Sequence, residues 1–219
     1  MAVWEIEKKL VAEFFIFTML LVCPMMIFPP YGAAEATGED ALATRAKRIE
    51  TEREEKDRFF RESPNSPLRL KDQKTFRGLS YYPIDLRYVV SGNLERDPKG
   101  RKEYAKLPTN RGNFRTYIKE GVLRFKIEGR EFVLIVYRFL GRSNLFLPFR
   151  DRTNGQETYE NGRYLDVEIL ADEEFIVDFN TAHNPFCAYN PKYTCAYASE
   201  ENVLDVAIPC GEKKFVAAP

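Results

Sequence analysis

Apolar residues change their spacing twice along the chain, and the changes divide it into three stretches. Residues 14–28 (FFIFTMLLVCPMMIF) form fifteen positions without a charge. A comfortable transmembrane helix needs about 20 such residues, and Pro24 would kink a helix here. Downstream, Ala34-Glu35-Ala36 fits the small-x-small pattern of a secretory cleavage site. Lys8 and Lys9 are offset by Glu5, Glu7 and Glu13, so the head of this stretch is not clearly basic. The expectation for residues 1–36 is a cleaved signal peptide or an uncleaved membrane anchor. Cys23 follows Val22, which is larger than the residue that precedes a lipid-attachment cysteine.

Residues 39–61 have a helical pattern, without Gly or Pro and rich in Ala, Glu, Lys and Arg. Leu42, Ala46, Ile49 and Phe60 share one stripe, which Arg53 and Lys56 interrupt. The pattern predicts a spacer segment over 37–67, its solvated helix packing along part of its length against a sheet, with a partner-binding or membrane-surface helix as the alternative. Ser63-Pro64-Asn65-Ser66-Pro67 ends it, because the residue before a proline disfavours helical geometry.

From Phe76 the pattern becomes alternating. Strands are predicted at 84–90, 114–119, 122–127, 132–139, 144–149, 164–169, 175–179 and 203–208. Turn signals part them, among them Glu120-Gly121, Gly141-Arg142-Ser143, Asn154-Gly155 and Asn161-Gly162. Short strands without intervening helices point to a mainly β fold. The expected architecture is an antiparallel barrel or sandwich over 68–219, with an N-terminal helix and a hydrophobic leader. Seventeen Phe and twelve Tyr agree with this, since planar rings pack well on a pleated surface.

Lys+Arg and Asp+Glu both number 33, so the formal charge is zero. That balance argues against nucleic acid as a partner. The remaining partners are a small-molecule ligand and, if the leader is uncleaved, a membrane reached through it. The expected location is outside the cytoplasm, exported or anchored.

Candidate chemistry crowds into residues 145–213. Arg150 ends an apolar run containing Pro148, which suits a sheet edge. Arg163 follows a second turn, so two guanidiniums could grip one carboxylate or phosphate bidentately. The alternative is that each pairs locally with Asp151, Asp166 or Asp178. Asp178 and Asn180 share a strand face. Asn180, Asn184 and Tyr159 have the donors and acceptors to orient a ligand, and equally to brace a loop. Asp178 or Glu212 could serve as an acid or base.

His183, Cys187, Cys195 and Cys210 have the residue types of a zinc site. Gaps of three, seven and fourteen residues and the absence of a CxxC pair speak against one. No metal and no cofactor is expected. In an exported chain Cys187 and Cys195 are expected to form a disulfide, with two free thiols as the alternative. A cysteine nucleophile using His183 as base has no local signature.

At LPFRDRTNGQETYENGRYLD, DFNTAHNPFCAYNPKYTC and ENVLDVAIPCGEKKF the sequence resembles the uncharacterised prokaryotic domain-of-unknown-function family 1684. The resemblance extends more weakly back to about Arg48. It places Arg150, Asp151, Thr158, Tyr159, Gly162, Arg163, Tyr164, Asp178, Asn180, Asn184, Cys187, Cys195, Asn202, Gly211 and Glu212 on characteristic positions, but not His183 or Cys210. No activity comes with it. The leading expectation is a β-domain binding a small anionic molecule through Arg150 and Arg163. The alternatives are a hydrolase with a carboxylate base beside those arginines, and an envelope interaction module.

Overall fold

In the computed structural model, which describes residues 38–170 and 173–217, the predicted helix spans Gly38–Glu62 (α1). The expected leader at 1–36 lies outside the described residues. Among the residues of α1 whose burial is described, only Ile49 and Phe60 are fully buried, so the helix docks on a narrow seam. Past Glu62 the chain turns back on itself, and the Ser66 hydroxyl donates to the Phe60 carbonyl at 2.7 Å. A short second helix, α2 (Leu70–Thr75), follows. Phe60, Leu68, Phe76 and Tyr189 pack into one cluster between these helices and the body of the fold.

Eight strands follow: β1 (Val89–Glu95), β2 (Glu103–Pro108), β3 (Phe114–Ile127), β4 (Arg130–Phe139), β5 (Leu145–Phe149), β6 (Arg163–Leu165), β7 (Glu168–Ile169) and β8 (Glu174–Asp178). They form one antiparallel sheet in the order β6-β5-β4-β3-β1-β8-β7, with β2 also on β3. The two ends of that path, β6 and β7, are parted in sequence only by Asp166 and Val167. The sheet must therefore curl until its ends meet along the chain. The described strands thus form a curled half-barrel, not the two facing sheets of a sandwich.

Inside the curl lie Leu123, Leu134, Val136, Leu147, Phe149, Phe175, Val177 and Phe179. The other face of β3 to β5 is also covered, by Leu107 of β2 and by Ala196, against Tyr117, Ile135, Tyr137 and Phe146. Burial on both faces is why 134–137 (LIVY) is continuously apolar rather than alternating.

Four local expectations change. The strand predicted at 84–90 begins at Val89, because the Asp85 carboxylate accepts the Arg87 amide and tightens Leu86–Tyr88 into a 3₁₀ turn. The turn expected at Glu120-Gly121 is instead a register irregularity inside one 14-residue strand. A Cβ on Gly121 would lie 2.7 Å from a Leu94 methyl and 2.8 Å from the Glu95 carbonyl, so the close approach of β1 requires glycine. The strand predicted at 164–169 is split between the two ends of the sheet. The strand predicted at 203–208 is absent, and that segment is tied to the residues just past β5 by the Arg150–Val203 bridge and by the Arg152 amide donating to Val206 O at 3.0 Å.

Asn202 holds that last segment in place. Its side-chain oxygen accepts the Ile135 amide at 2.8 Å, and its amide group donates to Ile135 O at 2.9 Å and Pro148 O at 2.8 Å. The side chain substitutes for a strand, closing backbone groups of β4 and β5 that would otherwise be buried and open. Asn202→Ala should destabilise the fold by about 3 kcal/mol, because several buried groups lose partners at once. Urea unfolding checks this, and a loss under about 1 kcal/mol would contradict it.

Candidate functional site

The two arginines do not converge. Arg163 pairs with Phe149 across β5 and β6, so Arg150, one residue on, points to the opposite face. Arg150 is half-buried and pairs with the exposed Glu200 at 3.1 Å. Arg163 is wholly buried. It donates to Asp151 Oδ2 at 2.7 Å, to Ile208 O at 3.0 Å and to Cys210 O, and its guanidinium stands 5.3 Å from the Phe149 ring centre. Arg163 thus takes one of the expected local partners, Asp151, and clamps the C-terminal segment to the half-barrel, whereas Arg150 pairs with Glu200 instead.

That clamp delivers Glu212. Gly211 has φ 73°, and a Cβ there would meet Ala182 O at 2.6 Å, so only glycine can make the turn. Beyond it the Glu212 carboxylate is fully buried. It accepts from Lys56 Nζ at 2.8 Å, from the Asn184 side chain at 2.8 Å, from the Asn184 amide at 3.2 Å and from the Tyr189 hydroxyl. A carboxylate so fully engaged anchors its neighbours and has no free lone pair for acid–base work on a substrate.

The other predicted site residues are likewise engaged. Asp178 pairs with Arg45 of α1 at 3.2 Å and accepts both nitrogens of Asn180. Asn180 latches the 3₁₀ turn at Asp85 through its oxygen at 2.8 Å and its amide at 2.9 Å. Asn184 donates to Glu212 and to Lys213 O, while its side-chain oxygen is buried without a partner. The Tyr159 hydroxyl accepts from Asn161 and lies 3.9 Å from Cys187 Sγ.

The expected disulfide is absent. Cys187, Cys195 and Cys210 are free and buried. The Cys195 sulfur accepts the Cys187 amide at 3.2 Å, so it caps the start of α3 (Phe186–Tyr189) as a thiol. Among the described residues no group of three or more His, Cys, Asp or Glu is placed to hold a metal. No described helix is long and apolar enough to cross a membrane.

What the sequence pattern missed is a cleft of about 180 Å³ between α1 and the half-barrel. Ile49, Glu52, Arg53 and Lys56 line it from the helix, and Tyr81, Asp166, Asn180, Thr181, Ala182 and His183 from the sheet side. Arg53 and Lys56 had looked like interruptions of the apolar stripe. Ile49, Arg53, Lys56 and Phe60 are spaced by four, three and four, so the cations lie on the docking face itself. That spacing was the available signal.

Arg53 donates to Tyr82 O at 3.0 Å and Asn180 O at 3.2 Å, and its guanidinium lies 4.5 Å from the Tyr81 ring centre. Its Nε and the Tyr81 hydroxyl are both buried without partners. Burial lowers the Arg53 pKa from its ordinary value. Burial first, then the Glu212 carboxylate, pushes Tyr81 well up, so its hydroxyl stays protonated as a donor. Burial also raises Asp166. The half-buried His183 is held down to about 3, first by burial and then by the Lys56 ammonium.

Larger grooves are less suited to a ligand. One of about 450 Å³ near β2 and another of about 790 Å³ beside it share Arg96, Glu120 and Arg138. These charges are already paired, with Arg96 to Glu120 at 2.6 Å and to Glu173 at 2.8 Å, and Arg138 to Glu120 at 2.8 Å.

Comparison with known proteins adds a family and a fold. The family model described as a protein of unknown function (DUF1684) matches residues 74–213. The solution NMR structure of an uncharacterized protein of Haloarcula marismortui is similar, at 33% identity and a TM-score of 0.63. The alignment covers 80% of this chain and 97% of that one. No curated protein matches the chain.

The imidazole at the cleft gives a pH signature. His183 is neutral in the fold down to about 3, whereas unfolded histidine protonates below about 6.5. The unfolded state therefore binds the extra proton between these values, and the fold loses stability as pH falls through that window. His183→Gln should flatten the stability–pH curve between about pH 6.5 and 4 relative to the natural chain. Parallel curves from urea unfolding at several pH values would contradict it.

Proposed function

The chain belongs to the DUF1684 family, and from that premise we propose that its domain binds a small anion, a carboxylate or a phosphate, in the cleft between α1 and the half-barrel. The observation that carries this reading is the half-anchored state of the two cleft cations. Arg53 is fixed by two carbonyls, and Lys56 by one carboxylate oxygen of Glu212. A guanidinium has five N–H donors and an ammonium three, so each keeps donors for a ligand while its position is already set. Such pre-organisation lowers the ordering cost of binding.

The unpartnered Tyr81 hydroxyl and Arg53 Nε support the same reading, since buried donors without acceptors are uncommon and an anion would supply acceptors. The cations also face a partly desolvated space, where charge-assisted hydrogen bonds are stronger than in water. Asp166, raised by burial, is positioned as a cleft carboxyl able to receive a hydroxyl from the same ligand. The anion-binding role expected for Arg150 and Arg163 thus passes to Arg53 and Lys56.

Tyr81→Phe separates this function from folding. The hydroxyl has no partner in the protein, so the melting temperature should not fall. Affinity for a bound anion should drop about tenfold, as for one lost hydrogen bond. Calorimetric titration with inorganic phosphate, acetate and succinate, on the natural chain and the variant, makes the measurement. No binding of any probe to the natural chain, or equal affinity in both, would overturn the proposal.

A further inference from the structure

A second pocket, of about 220 Å³, shares His183 with the α1 cleft but neither of its cations. None of the described residues that line it carries a charge at neutral pH, so it suits an uncharged guest. At roughly 30 Å³ per water it has room for about seven waters, enough for one benzene-type ring with a short substituent.

Its walls are rings held in fixed places. Phe186 opens α3 directly after Pro185, whose own ring restricts the entering backbone. That short helix buries Cys187 and Tyr189 and leaves Phe186 46% exposed. Tyr193 meets Phe186 edge to face at 5.3 Å. The loop carrying Tyr193 is tied on both sides: its amide donates to Asn190 O at 3.2 Å, and its carbonyl accepts the Asn110 side chain at 2.9 Å. Tyr164 adds a third ring. Its hydroxyl is engaged by the Ala196 carbonyl, so the ring is what it offers the pocket. Rings at such positions pack well against a further ring, and because they are already set, binding has little to order.

Two lining residues, His183 and Thr194, are half-buried and carry polar groups that no other described side chain hydrogen-bonds. The imidazole stands edge to face with the Tyr164 ring, 6.1 Å between centres. It is neutral, because burial first and then the Lys56 ammonium hold it down to about 3. A neutral imidazole has one donor and one acceptor nitrogen. The Thr181 backbone takes the donor, which leaves the acceptor for a guest.

We propose that this pocket binds a small uncharged phenol, its ring among Tyr164, Phe186 and Tyr193 and its hydroxyl donating to the free nitrogen of His183. A phenolic hydroxyl is both donor and acceptor, so its oxygen also suits the Thr194 hydroxyl. The ring supplies affinity and the hydroxyl sets orientation, the usual division in a mostly apolar site. The site uses none of Arg53, Lys56 and Tyr81, and it stands or falls separately from the anion proposal.

His183 is the only histidine, so its imidazole nitrogen resonances can be read without assignment. Phenol and toluene, the same ring without the hydroxyl, are titrated into the isotope-labelled full chain at neutral pH, in a buffer free of carboxylate and phosphate. Phenol should shift the His183 resonances saturably, and toluene should bind about tenfold more weakly, as for one lost hydrogen bond. Phe186→Ala should weaken both ligands and leave the melting temperature unchanged, since this ring is nearly half exposed. Tyr81→Phe, which alters only the α1 cleft, should bind phenol as the natural chain does. The proposal is overturned by the absence of a saturable shift with phenol, by equal affinity for the two ligands, or by undiminished affinity in Phe186→Ala. Weaker phenol binding in Tyr81→Phe would also overturn it, by moving the phenol into the α1 cleft.

Discussion

The position of the Glu212 carboxylate is the constraint on which the union of α1 and the half-barrel depends. It is a buried charge, and a buried charge must be paired and hydrogen-bonded to be tolerated. Its partners come from three separate places: Lys56 on α1, Asn184 after β8, and Tyr189 on α3. Arg163 sets where the carboxylate can be. By gripping Asp151 and the carbonyls of Ile208 and Cys210 it pins the C-terminal segment, which has no strand of its own. One buried guanidinium thus fixes a loop, the loop fixes a carboxylate, and the carboxylate fixes the helix.

The cleft between α1 and the half-barrel follows from that arrangement. A helix docked by leucines and valines would close flush against the sheet. Instead the α1 seam places Arg45 on Asp178, Arg53 on the Tyr82 and Asn180 carbonyls, and Lys56 on Glu212. Long polar side chains hold the two surfaces apart while anchoring them, and donors remain in the gap. The same segment after β8 also lines a second pocket with Phe186 and Tyr193, and His183 borders both spaces. Its neutrality keeps either from gaining a further cation near neutral pH.

Much of the fold was legible in the sequence. Ala- and Glu-rich periodicity located α1, and short apolar runs bounded by turn signals located β4, β5 and β8 almost to the residue. β2 was not visible, because EYAKLP has one buried side chain and pairs with β3 through its backbone. The segment 203–208 alternates as a strand would, but Asn202 takes over the hydrogen bonding that a strand would have provided. For the site, the motifs around Arg150, Arg163, Asn180, Asn184 and Glu212 did mark an unusual region. Their unusual character was structural: these are polar groups that must be buried and so must be matched. The cations facing open space were on α1, where a polar residue in an apolar stripe looks like a flaw. Only the helix's docking partner shows that the stripe was polar by design of the contact.

Hydrogen–deuterium exchange on Glu212→Gln tests this account most directly. Glutamine keeps the shape and an acceptor for Tyr189 but removes the charge that holds Lys56. If the carboxylate seats the helix, amides of α1 should lose protection selectively, while β3 and β4 exchange as in the natural chain. Unchanged protection of α1, or an equal loss across β3 and β4, would contradict it.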